Sequence, residues 1–164
     1  MELMHSHRWE RRVPDWKVAA VSGFVAGAVL MVLELLWATL AGDGNPWLAS
    51  HMVAAIVMGP DVLQSVDFSL PIVIVALVTH YILGIAFGLI LAGIIVPYRL
   101  DSSIGMVLVT GAVFGLVLYL FNFYGMVRMF EWFAEMRGAA TFVAHLIFGM
   151  VAAVMYWKLE QPLR

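Results

Sequence analysis

Cysteine is absent from the chain and charge is scarce, with 12% of residues Asp, Glu, Lys or Arg. Without cysteine there are no disulfides, iron–sulfur clusters or thiolate metal sites, and the redox compartment is left open. Soluble domains carry about 25% charged residues, so the usual solvated surface is missing. A net charge of −2 gives no electrostatic footprint for nucleic acid. There is no nucleotide-binding glycine loop, nucleophile elbow or HExxH motif, which argues against an enzyme. What is present is apolar: 63% of the 164 residues are hydrophobic, and the mean hydropathy is +0.96. A water-soluble chain of this length could not bury so much apolar surface. The expected solvent is lipid.

A bilayer core about 30 Å thick is crossed by about 20 residues of helix. Four stretches qualify, at about 18–41, 71–96, 103–125 and 139–158. The expected fold is therefore an all-α membrane protein: one antiparallel four-helix bundle over 18–158, between tails at 1–17 and 159–164. The first run exceeds the roughly 7–15 apolar residues of a signal peptide. Despite the small pair Ala41–Gly42, it reads as a retained span. Pro71 opens the second span at a tolerated first-turn position and Pro97 closes it. The tight turn Pro97–Ser103 predicts that the second and third spans are antiparallel neighbours. The apolar segment 47–58, ended by Gly59-Pro60, is too short to span and is expected to lie at the outer membrane surface. Gly125–Arg137 mixes Phe130, Trp132 and Phe133 with charged residues, which suits the headgroup level.

Orientation follows from the basic residues. With the N-terminus inside, Arg8, Arg11, Arg12, Lys17, Arg99, Lys158 and Arg164 are cytoplasmic, and only Arg128 and Arg137 lie outside. Seven against two places both termini in the cytoplasm.

The halves of the chain resemble each other. Gly23, Gly27 and Glu34 of the first span match Gly111, Gly115 and Asn122 of the third at an offset of 88. His80 and Gly84 of the second match His145 and Gly149 of the fourth at an offset of 65. A tandem two-helix repeat is expected, its copies related by an axis along the membrane normal. The pairs Gly23/Gly27, Gly84/Gly88 and Gly111/Gly115 each put two glycines on one helix face. There, missing side chains let backbones approach. Helix packing is their expected role, with a cofactor plane against them as the sharper alternative.

Four polar residues lie inside the apolar runs: Glu34, His80, Asn122 and His145. Such residues are costly in lipid and normally face the bundle interior. Counted from the outer ends of their spans, all four fall within roughly 4–14 Å of one face, so they can share one layer. Three chemistries fit. A hydrogen-bonded network could hold the helices in register. His80 and His145 on diagonal helices could ligate a b-type haem, although no arginine lies near for its propionates. Glu34 with both histidines, joined by His51, could form a metal or proton site, although no His-x-x-His or Glu-x-x-His spacing supports it. His5 and His7 read as solvated, and the 11 scattered methionines as packing.

The stretches Asn45-Pro46-Trp47, His51–Gly59, Asn122-Phe123-Tyr124-Gly125 and Ala144–Gly149 resemble those of a family of small four-helix inner-membrane proteins of bacteria. The resemblance implies a bacterial inner membrane. It brings no established activity, although some members carry a transporter label, and it assigns no site residue. The expected function is a small non-enzymatic subunit or accessory protein of a larger membrane assembly, of respiratory or oxidase type. Its expected partners are the lipid bilayer and other membrane subunits or a second copy. The alternative is a haem- or metal-binding electron carrier or a small transporter that uses the Glu/His layer.

Overall fold

A computed structural model describes residues 12–40 and 45–160. Arg8, Arg11, His5, His7, Ala41, Gly42 and Arg164 lie outside these residues. The fold is helical: α1 (Trp16–Leu40), α2 (Leu48–Met58), α3 (Leu70–Ile95), α4 (Ile104–Leu120) and α5 (Ala139–Glu160), with short 3-10 turns between them. Four of these helices are long and apolar enough to cross a membrane; the third candidate span runs on from α4 to Arg128. Their exposed side chains are apolar too, including Val21, Phe24, Leu36, Val78, Ile82, Val113 and Val117. A continuous apolar surface of this kind belongs in lipid.

Local chemistry sets the helix ends. The Asp15 carboxylate accepts from the backbone N–H groups of Lys17 (3.0 Å) and Val18 (3.1 Å), satisfying donors at the start of α1 that have no partner within the helix. Ser103 does the same for α4 through Met106. Gly59 ends α2 with φ +90°, a conformation that disfavours any side chain. Pro60 then opens a 3-10 turn to Leu63.

The glycines decide which helices pair. α1 packs on α3, where a methyl on Gly23 or Gly88 would run into the backbone of the opposite helix. α4 packs on α5, where Gly111, Gly115 and Gly149 meet backbone in the same way. α1 also lies along α5, while α3 and α5 meet sparsely. The turn after α3 does not make α3 and α4 packing partners, because their glycine faces are turned to α1 and α5. A short loop fixes proximity of ends, whereas close approach of backbones fixes packing. The side of the molecule between α3 and α4 is consequently left without a tight helix contact.

The two ends of the molecule are closed differently. At one end Arg12 bonds both oxygens of Asp101 (3.1 and 2.6 Å) and lies 3.6 Å from Glu160. Trp157 donates to the Asp101 backbone carbonyl, and Asp15 N donates to the Tyr156 hydroxyl. These contacts tie the start of α1, the α3–α4 turn and the end of α5 together. At the other end α2 lies on α3, with His51, Met52, Ala54 and Ala55 buried. There Trp132 donates to the Met52 carbonyl.

Candidate functional site

Beneath α2 a cavity of about 180 Å³ is walled by all five helices and by the segment after α4. Glu34 comes from α1, His80 from α3, Asn122 from the turn that extends α4, and His145 from α5. The structure brings these four polar residues to one cavity. They do not bond one another. His80 Nε2 donates to the Gly27 carbonyl oxygen at 2.9 Å, and His145 Nδ1 to the Thr141 carbonyl oxygen at 2.8 Å. The Glu34 carboxyl and the Asn122 amide have no hydrogen-bond partner among the described residues. The cavity therefore does not hold a closed polar network.

The rest of the wall is aliphatic and aromatic; of its aromatic residues the sequence marked Phe130 and Phe133, for the headgroup level and not for a cavity. Phe87, Phe121, Phe123, Phe130, Phe133 and Phe148 line the cavity, with Met126 and Met136. Phe121–Gly125 forms a π-helical turn at the end of α4. Such a turn adds a residue to the helical circuit and is frequent at functional sites. Here it lets Phe121, Asn122 and Phe123 all line the cavity. The carbonyl that the widened turn leaves at Phe123 accepts from Arg137 Nε at 2.7 Å, and the Arg137 guanidinium lies 4.4 Å from the Tyr124 ring centre. The run Asn122-Phe123-Tyr124-Gly125 was the available signal, but nothing in it marks a π turn.

Glu34 also borders two further cavities. One of about 630 Å³ lies between α1, α2, α5 and the segment Glu135–Gly138; another of about 200 Å³ lies between α1, α2 and α3 and is shared with His80. His51 lies elsewhere. It is 3% exposed, and its Nδ1 and Nε2 face the backbone carbonyls of Val62 (2.7 Å) and Asp67 (2.9 Å). Both nitrogens are thus engaged in holding the chain after α2.

Metal and haem fare poorly against this geometry. Among the described residues no three His, Asp or Glu groups gather closely enough to hold a metal ion. His80 uses Nε2 on a carbonyl. A cavity of about 150 Å³ holds one benzene ring, so 180 Å³ accommodates a single ring and not a porphyrin. Comparison with protein-family models, curated proteins and solved structures finds no match. The site must be read from its own chemistry.

Proposed function

We propose that the protein is a small, non-enzymatic membrane protein that binds a lipophilic small molecule in the cavity beneath α2. The observation that carries this reading is the set of unbonded polar groups, Glu34 and Asn122 foremost, in a cavity otherwise lined by phenylalanine, methionine and aliphatic residues such as Leu30, Ile56 and Leu83. Ligand sites are mostly apolar with a few placed polar groups, and a polar group left unbonded in such surroundings costs free energy until a ligand meets it. The sparse contact between α3 and α4 offers a route from the lipid. Thermal unfolding in detergent, run across a panel of lipophilic compounds, tests the proposal. A ligand should raise the Tm of the native protein and not that of Leu30→Trp, which fills the cavity. If no compound distinguishes the two proteins, the reading is wrong.

The finer architecture belongs to the same proposal. The reading is an antiparallel bundle made of a tandem repeat, α1 with α3 and α4 with α5. Its support is that Gly23 meets Gly84 in one pair as Gly111 meets Gly149 in the other. The membrane is read as a bacterial inner membrane with cytoplasmic termini. Arg12, Lys17, Arg99 and Lys158 all lie at the end away from α2, which supports it. Cysteines introduced at positions 12 and 131 should react from opposite sides of the membrane. Reaction from one side would refute the topology.

A second reading, an accessory subunit of a larger respiratory or oxidase-type assembly, is favoured by one observation. Val57, Met58, Phe68 and Met129 are apolar, well exposed and outside the four long helices. Native mass spectrometry after gentle extraction would reject it if only the single chain were found.

A further inference from the structure

The hydrogen-bonding state of the cavity wall specifies what kind of molecule fits it. A carbonyl oxygen only accepts. In each neutral ring the proton therefore sits on the bonded nitrogen, Nε2 of His80 and Nδ1 of His145, and the other nitrogen carries a lone pair. Those other nitrogens have no partner among the described residues. No fully enclosed side-chain nitrogen or oxygen among these residues lacks a partner, so each unbonded atom reaches open space. For His145, only 6% exposed, that space is the cavity it lines. The wall is consequently rich in acceptors: the His145 lone pair and the Glu34 carboxyl, beside one amide that both donates and accepts, with His80 shared between this cavity and its neighbour.

We propose that the cavity binds an aromatic lipid bearing ring hydroxyls, a hydroquinone or phenol head on a hydrocarbon tail. The inference rests on the reading of the cavity as a ligand site and adds the ligand's class. The volume of about 180 Å³ suits one six-membered ring. Phenylalanine walls offer the edge and face contacts that aromatic rings favour. Ring O–H groups supply the donors that the His145 lone pair and Glu34 need. A quinone of the same shape brings only acceptors and sets its carbonyl lone pairs against those of His145 and Glu34. The tail leaves through the gap between α3 and α4, where helix contacts are sparse.

The experiment uses the full chain in lipid nanodiscs under anaerobic conditions. Four probes with one alkyl tail are compared by titration: a hydroquinone, its quinone, its dimethyl ether and a 4-alkylphenol. A lost hydrogen bond is worth about a factor of ten where the partner is left buried and unpaired. The hydroquinone should bind at least about tenfold more tightly than the quinone or the ether, with the phenol between if one hydroxyl suffices. His145→Phe should weaken the hydroquinone by about tenfold and leave the ether unchanged; the comparison of probes on the native chain needs no variant. Equal affinity for all four probes overturns the ligand class and leaves the cavity as a site. Binding by none, while a small apolar photolabel still enters the cavity, also overturns the class alone. Binding by none and no labelling overturns both readings.

Discussion

His80 donates from Nε2 to the carbonyl oxygen of Gly27, 2.9 Å away across the α1–α3 contact, between residues 53 apart in the chain. Its counterpart in the second half, His145, bonds a carbonyl of its own helix, Thr141. The first bond ties two helices; the second only fixes a ring. His80→Leu should therefore destabilise the protein by about 1 kcal/mol, and His145→Leu by clearly less. Chemical unfolding of the two variants in mild detergent measures the difference, and the reverse order would contradict the assignment.

The glycines separate in the same manner. A methyl on Gly149 would overlap the Gly111 carbonyl oxygen, whereas one on Gly27 would meet nothing nearer than His80 Nε2 at 3.7 Å. Gly149→Ala forces the α4 and α5 backbones apart and should cost about 1–3 kcal/mol. Gly27→Ala should be neutral to slightly stabilising, since alanine favours the helix. Thermal melts of both proteins decide the matter, and equal losses would show that the glycine contacts are not specific.

The four long apolar helices were legible in the sequence as long apolar runs, in which Glu34, His80, Asn122 and His145 stood out as the polar residues that the fold brings to one cavity. The pairing of helices was not. The turn at Pro97–Ser103 suggested α3 beside α4, but Gly84 and Gly88 turn α3 towards α1, and Gly111 and Gly115 turn α4 towards α5. Nor was the part of the wall at Phe121–Gly125, which continues an apolar helix with no local mark of its wider turn. His51 resembled a ligand in sequence for the same reason. Only the fold brings the carbonyls of Val62 and Asp67 to its ring.

At the other end of the molecule, Asp101 bonds the Arg12 guanidinium through both oxygens and raises its pKa further above the usual value, chiefly through that hydrogen bond. A raised pKa means that the stabilisation is present below the unfolded value and lost only above the folded one, beyond any working pH. Salt is the accessible lever. Asp101→Asn should cost about 1 kcal/mol at low ionic strength, because this pair is bidentate although Arg12 is partly exposed. The loss should shrink in high salt. A salt-independent loss would assign the effect to the backbone of the turn instead.

Glu34 tests whether the polar residues serve a ligand or the fold. It has no internal hydrogen bond among the described residues. Glu34→Leu should leave the stability of the ligand-free protein within about 0.5 kcal/mol or raise it, and should abolish stabilisation by ligand. Glu34→Gln retains a carbonyl acceptor and should bind with intermediate affinity. A large loss of stability in Glu34→Leu without ligand would return the cavity to a structural role.

The central claim is that a lipid-soluble molecule reaches a cavity in the interior of this bundle. Photolabelling in bilayers with a small apolar diazirine, mapped by peptide mass spectrometry, tests it most directly. Label is expected on Phe123, Phe133 and His145, which are 3%, 8% and 6% exposed, and should disappear from them in Leu30→Trp. Label confined to lipid-facing residues such as Val78, Ile82, Val113 and Val117, with the interior untouched, would contradict the claim.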